Sequence, residues 1–326
     1  MKASLLFTLA LGAAAVQAHA QPPGPTTALA APAAPAASRF AATIVPAERF
    51  ESGTLLVERH GSGPRPLVLI PGLASGPWVW QETIRQLLKD GNNAFTLYVV
   101  TLPGFDGRPV PAGPDWTPFE SARAALRGLI AERKLAKPVL IGHSLGATLG
   151  FALAQDLGAG IGGVVALDGL PVFPGTEDMP PDLRPQAAAG VRQRMAAGQP
   201  QAFAAQQRQY MRSQGVLDVG KADDIVPLLL RSDREAVGAY VADILALDLR
   251  PGLDRISAPV LVVAPFYEYD VGQDALSVDA KLTHYRSLVQ GIPSVEVVPI
   301  APARHFLMID QPQALADLLR RYLDRP

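Results

Sequence analysis

The 326-residue chain has no cysteine. That excludes disulfides, cysteine nucleophiles, thiolate zinc sites and iron–sulfur clusters. It also lacks a bias of charge: 29 Lys and Arg oppose 30 Asp and Glu, so no basic footprint points to nucleic acid. Its carboxylates are dispersed and no histidine pair has ligand spacing, so no metal is expected. No G-x-G-x-x-G opens a helix after a strand, which argues against a nicotinamide cofactor. Beyond the N-terminal stretch, no run of about 18 apolar residues could span a bilayer. The mature chain is therefore expected to carry no membrane span. What is present is apolar material: 48% hydrophobic against 18% charged residues, enough for a sizeable core and too much for a disordered chain.

Met1-Lys2, the apolar Leu5–Val16 and Ala18-His19-Ala20 have the charge, core and small-x-small site of a secretory signal peptide, residues 1–20. Residues 21–38, nearly all Ala, Pro, Gly and Thr, read as a tether that cannot bury enough surface to order itself. Folding is expected to begin near Arg39 or Phe40, in an exported protein, periplasmic or secreted.

From Thr54 on, short apolar runs alternate with helical spacing. TLLVERH, PLVLI, FTLYVVTL, KPVLIG, GGVVALD, Pro259–Ala264 and Ser294–Ile300 read as strands. Most lack polar alternation, as strands buried on both faces do. The intervening helices include Phe119–Arg133, Leu145–Leu157, one near Asp274–Gln290 and Gln311–Leu323. This predicts an α/β class with a mostly parallel central sheet and helices on both faces. Residues 171–253 break the rhythm, with helical stretches over Pro185–Arg212 and Asp233–Leu247 and no strand. They read as a helical cap inserted into a core of residues 39–170 and 254–326.

Gly142-His143-Ser144-Leu145-Gly146 follows a predicted strand and opens a predicted helix. That context is what a G-x-S-x-G nucleophile elbow requires, so Ser144 is the candidate nucleophile. A serine hydroxyl needs a base. Of His60, His143, His284 and His305, the last lies in a loop between the final strand and final helix, at the carboxyl edge of the sheet. His143 is expected to be turned away by the elbow, and His284 sits mid-helix. The base needs a carboxylate. Glu268 and Asp270, in the loop after Val260–Ala264, fit the order Ser, acid, His; Asp168, closing an earlier strand, is a third candidate. The backbone amides of Leu73 and Leu145 are the candidate oxyanion donors.

Four blocks in order resemble the α/β-hydrolase superfamily: LVLIPGLASGPWVW, TLPGFDGR, VLIGHSLGA and RHFLMIDQP. The resemblance runs from about Thr54 to the C-terminus outside the cap, and implies an α/β-hydrolase fold with Ser144 and His305 as nucleophile and base. Pro71 stands where the family commonly has histidine before Gly72. The family's acid register falls on Glu268, with Asp270 two residues beyond. A serine at the elbow sets the chain apart from relatives that use aspartate there.

The expected activity is that of a serine hydrolase cleaving a small-molecule carboxylic ester, thioester or lactone, without a cofactor. An aminopeptidase-type enzyme, a carbon–carbon bond hydrolase, a cofactor-free haloperoxidase and a non-catalytic binder are the competing readings. A peptidase for free amines would need a carboxylate cluster in the cap, for which Glu177, Asp178, Asp223 and Asp224 are candidates. Met195, Phe203, Tyr210, Met211 and Tyr240 are candidates for an apolar lining.

Overall fold

The computed structural model describes residues 38–325, except 92, 114–115 and 271–276. The signal-like segment, the tether up to residue 37 and the start of the helix expected from Asp274 lie outside the described residues.

Eight strands form one sheet: β1 (Glu48–Ser52), β2 (Leu55–Gly61), β3 (Arg65–Ile70), β4 (Phe95–Thr101), β5 (Val139–His143), β6 (Gly163–Leu167), β7 (Val260–Pro265) and β8 (Val295–Ile300). Their order is β1-β2-β4-β3-β5-β6-β7-β8. β2 runs antiparallel to both β1 and β4, and every pairing from β4 to β8 is parallel. The fold is that of an α/β hydrolase. β6 and β7 are buried at every position, which is why they lack polar alternation. β1, ERFES, is a half-buried edge strand with one large apolar residue, and so gave no strand signal in the sequence.

The helices are α1 (Gln81–Leu87), α2 (Pro118–Glu132), α3 (Leu145–Leu157), α4 (Arg184–Ala197), α5 (Pro200–Tyr210), α6 (Val219–Leu229), α7 (Arg234–Ala246), α8 (Val278–Val289), α9 (Leu307–Asp310) and α10 (Pro312–Leu323). Those from α4 to α7 occupy the stretch between β6 and β7. The helical stretch expected over Pro185–Arg212 is two helices. Gly198 leaves helical geometry, and Pro200 restarts the chain at the first turn of α5. α5 runs on into a π-helix, Met211–Gly215. The Asp233 side chain accepts from the Ala236 amide and starts α7 as a cap.

β3 and β5 are neighbours at the point where the strand order reverses. Loops leaving the carboxyl ends of strands there diverge and open a crevice, the usual ligand position in open α/β sheets. The loop after β3, the β5–α3 turn and the loop after β6 all meet at this edge.

Candidate active site

Ser144 stands between β5 and α3 with φ 53° and ψ −118°, a backbone state that a side chain rarely adopts. Its neighbours explain how the turn is tolerated. A Cβ on Gly146 would overlap the carbonyl oxygens of Ile70 and Pro71, and one on Gly142 the carbonyl of Gly146. Backbone against backbone cannot yield, so both positions require glycine. The turn puts Ser144 at the start of α3, where free amides concentrate positive potential.

The loop after β3 lies directly on this turn. A Cβ on Gly72 would meet the Ser144 Cβ at 3.1 Å. Leu73 and Leu145 both line the cavity beside Ser144. The loop is held from the insertion: Ser232 Oγ donates to the Ala74 carbonyl at 3.0 Å, and the Asp106 amide donates to Ser232 Oγ at 3.1 Å. The TLPGFDGR block thus braces the β3 loop against the base of the insertion.

His305 lies on the same cavity as Ser144. Its Nδ1–H donates to Asp168 Oδ2 at 2.6 Å. The other carboxylate oxygen, Oδ1, accepts from the Tyr285 hydroxyl at 2.6 Å. Burial pushes the Asp168 carboxyl up. The hydrogen bond and charge of His305, the charge of Lys281 and the Tyr285 hydroxyl outweigh it and hold the pKa at about 2. Asp168 itself has φ 44°, a second strained residue at this edge. Burial and the same carboxylate raise the Tyr285 hydroxyl well above its ordinary value, so it stays a donor.

Glu268 and Asp270 are therefore not the partners of His305. They form a short 3-10 turn after β7. Asp270 takes both nitrogens of a fork from Arg304, Nε to Oδ2 at 2.8 Å and Nη2 to Oδ1 at 2.5 Å. This corrects the expectation drawn from family register. The carboxylate that reaches His305 arrives from β6, next to the elbow strand, not from β7. The sequence did hold one signal: Asp168 closes an otherwise apolar, fully buried strand, and a buried carboxylate requires a partner. Tyr285 and Lys281 were missed because they sit on α8 at ordinary helical spacing.

His143 is not turned away. Its ring packs 4.5 Å from that of His305, and Nε2 lies 3.0 Å from the His305 carbonyl. Burial and the neighbouring charge of His305 depress its pKa well below the ordinary value, so it stays neutral and donates through Nε2. His60 is buried with Glu58 in β2, and His284 pairs with Glu177.

The cavity measures about 830 Å³ and lies between the sheet edge and the insertion. Met195 and Tyr210 line it; Phe203, Met211 and Tyr240 are core residues instead. Three of the four carboxylates considered for a free-amine site pair elsewhere: Glu177 with His284, Asp223 with Arg212 and Asp224 with Arg39. Among the described residues, Asp168 is the one carboxylate on the cavity wall. A hydroxyl on a strained turn, an imidazole held in one tautomer and amides at a helix start can together carry out acyl transfer.

The model of the alpha/beta hydrolase family matches residues 67–318, and the chain belongs to that family of hydrolytic enzymes. No curated protein matches the chain in sequence. Among solved structures it is similar to an esterase from Thermogutta terrifontis, with TM-score 0.66 and 22% identity over 85% of this chain and 98% of that one. It is similar to the enol-lactonase from Burkholderia xenovorans LB400, with TM-score 0.64 and 19% identity over 85% and 100%. An esterase from Exiguobacterium antarcticum gives TM-score 0.65 and 14% identity over 83% and 96%. At these identities the likeness is one of fold.

Proposed function

We propose that the chain is a serine hydrolase that cleaves a carboxylic ester, or a related thioester or lactone, through an acyl-enzyme. The observation that carries this reading is the pairing of a strained Ser144 with an Asp168-held His305 on one cavity. The Asp168 hydrogen bond fixes the proton on Nδ1 and leaves Nε2 free to take the Ser144 proton as the hydroxyl attacks the acyl carbon. Negative charge grows on the carbonyl oxygen, and the amides of Leu73 and Leu145 stabilise it. His305 then protonates the leaving alcohol, and Asp168 stabilises the imidazolium formed on the way. Water repeats the sequence in reverse order and frees the acid.

The aminopeptidase reading loses its support because none of Glu177, Asp178, Asp223 and Asp224 lines the cavity, and three of them are paired elsewhere. Labelling with a fluorophosphonate and hydrolysis of p-nitrophenyl acetate against an amino-acid nitroanilide test the proposal. Labelled Ser144 with ester turnover is expected, and Ser144→Ala should lower turnover by several orders of magnitude. Nitroanilide turnover without ester turnover would overturn it. We also propose that the protein is exported, on the strength of Leu5–Val16 and the Ala18-His19-Ala20 site. A mature N-terminus at Gln21, read by mass spectrometry of the periplasmic or medium fraction, is the expected result.

A further inference from the structure

The cavity wall has two unlike halves. α4 and α7 contribute Val191, Met195, Val237 and Val241, and Leu73 continues that surface. α5 and the π-helix contribute the polar residues Gln206, Gln207, Gln209, Tyr210, Ser213 and Gln214, beside the small Ala202 and Ala205. No Lys or Arg lines the cavity among the described residues. Outside them the sequence holds a single Lys or Arg, Lys2. The charge that does face the cavity is Asp168, held ionised at its floor. A carboxylate or phosphate on the substrate would therefore lose its water without gaining a lysine or arginine at the cavity wall.

The polar half is fixed to the base. The His305 amide donates to the Gln214 carbonyl at 3.1 Å, and the Phe306 amide to the Gly215 carbonyl at 2.9 Å, so the π-helix is stitched to the histidine loop. Tyr210 stands edge-on to the His305 ring, centroids 6.0 Å apart. It is only partly buried, and it faces the cavity. Burial and the charge of Asp168 raise its pKa, so its hydroxyl keeps its proton and remains a donor. The leaving group of an ester must sit beside His305, which protonates it. That places the alcohol portion against Tyr210 and the polar half, and sends the acyl chain toward the apolar half.

Resting on the serine-hydrolase reading, we propose that this enzyme takes uncharged esters that join an apolar acyl chain to a polar, hydrogen-bonding alcohol, and that Tyr210 is the donor that recognises the alcohol portion. Purified enzyme assayed on 2-hydroxyethyl octanoate, its carboxylate analogue octanoyloxyacetate and p-nitrophenyl octanoate tests this. The neutral hydroxyethyl ester should exceed the anionic one by about 100-fold in kcat/KM, the scale of an unpaired charge taken from water. Tyr210→Phe should lower the ratio of kcat/KM for hydroxyethyl to p-nitrophenyl octanoate by about tenfold, as for loss of one hydrogen bond. A purely packing role for Tyr210 would leave that ratio unmoved and would overturn the assignment. Equal or faster turnover of the anionic ester would overturn the substrate class. Failure of fluorophosphonate labelling together with no turnover of p-nitrophenyl octanoate would instead sink the serine-hydrolase reading beneath it.

Discussion

Asp168 and His305 lie 137 residues apart in the chain and meet at 2.6 Å. The whole helical insertion, β7, α8 and β8 intervene. The acid thus rides on the strand before the insertion, and the base on the loop after the last strand. Closing the α/β core brings them together, so their contact depends on the sheet register between β6, β7 and β8.

The first prediction follows from that contact. Asp168→Asn keeps the shape but accepts or donates in the wrong sense, and holds the imidazole in the unproductive tautomer. Turnover on the best ester should fall by about 10³–10⁴-fold. Glu268→Gln should stay close to wild type. Asp270→Asn weakens the fork from Arg304 and should cost no more than about tenfold, because its effect on His305 is indirect. Steady-state kinetics on the three purified variants decides it; equal losses for Asp168→Asn and Asp270→Asn would refute the assignment.

That assignment also marks where sequence reading stops. Strand and helix alternation, the elbow at Ser144 and the loop position of His305 are all local signals, and local pattern was enough to find them. Which of three carboxylates reaches His305 depends on the spatial order of strands, which no local pattern contains. β6 lies beside the elbow strand β5, and the loop after β7 is aimed instead at Arg304. Tyr210 and Phe203 read alike in the sequence, as candidates for an apolar lining. The fold separates them: Phe203 faces the core and Tyr210 the cavity. β1 was missed because a half-buried edge strand need not be apolar.

Glycine substitutions should separate constraint from mere flexibility. At Gly146 and Gly142 an added methyl would run into backbone carbonyls, so Gly146→Ala and Gly142→Ala should each cost several kcal/mol, about 3 or more, or yield no folded enzyme. Gly128 sits inside α2 with open space around it; the nearest atom to an added Cβ is a Glu132 oxygen at 3.8 Å. Gly128→Ala should therefore raise stability by about 0.5–1 kcal/mol. Thermal and urea unfolding of the three variants checks both directions at once.

Asp168 also makes a statement about pH. Its folded pKa is about 2, below the ordinary 3.8. A depressed carboxyl stabilises the fold above its unfolded pKa, and that stability drains away as pH falls through the folded value. The window here is from about pH 4 to pH 2, and the contribution is on the order of 2 kcal/mol. The raised carboxyls of Asp106, Asp243 and Asp310 work in the opposite sense but are common to wild type and variant. Urea unfolding of wild type and Asp168→Asn at steps between pH 4.5 and 2.5 should show their stability difference moving in the variant's favour as pH falls. A constant difference would mean that Asp168 titrates alike in both states.

The N-terminal boundary can be set to the residue. Arg39 pairs with Asp224 at 2.5 Å, and Phe40 and Ile44 pack on the core. The amides of Thr43 and Ile44 both donate to Gln81 Oε1 at 2.9 Å. The Ala47 amide donates to the Arg59 carbonyl at 2.8 Å, one step before β1 begins. Starting the chain at Arg39 keeps all of these contacts and should therefore leave melting temperature and ester turnover unchanged. Starting it at Glu48 strips two apolar side chains from the core and leaves the buried Gln81 oxygen without either amide. At about 1 kcal/mol for each partly buried apolar residue and 1–3 kcal/mol for the orphaned acceptor, the loss should reach roughly 3–5 kcal/mol. Cysteine-free chains need no oxidation, so both truncations can be made in the cytoplasm and compared by calorimetry. If the Glu48 start melts with the Arg39 start, residues 39–47 are a passive extension and the fold begins at β1.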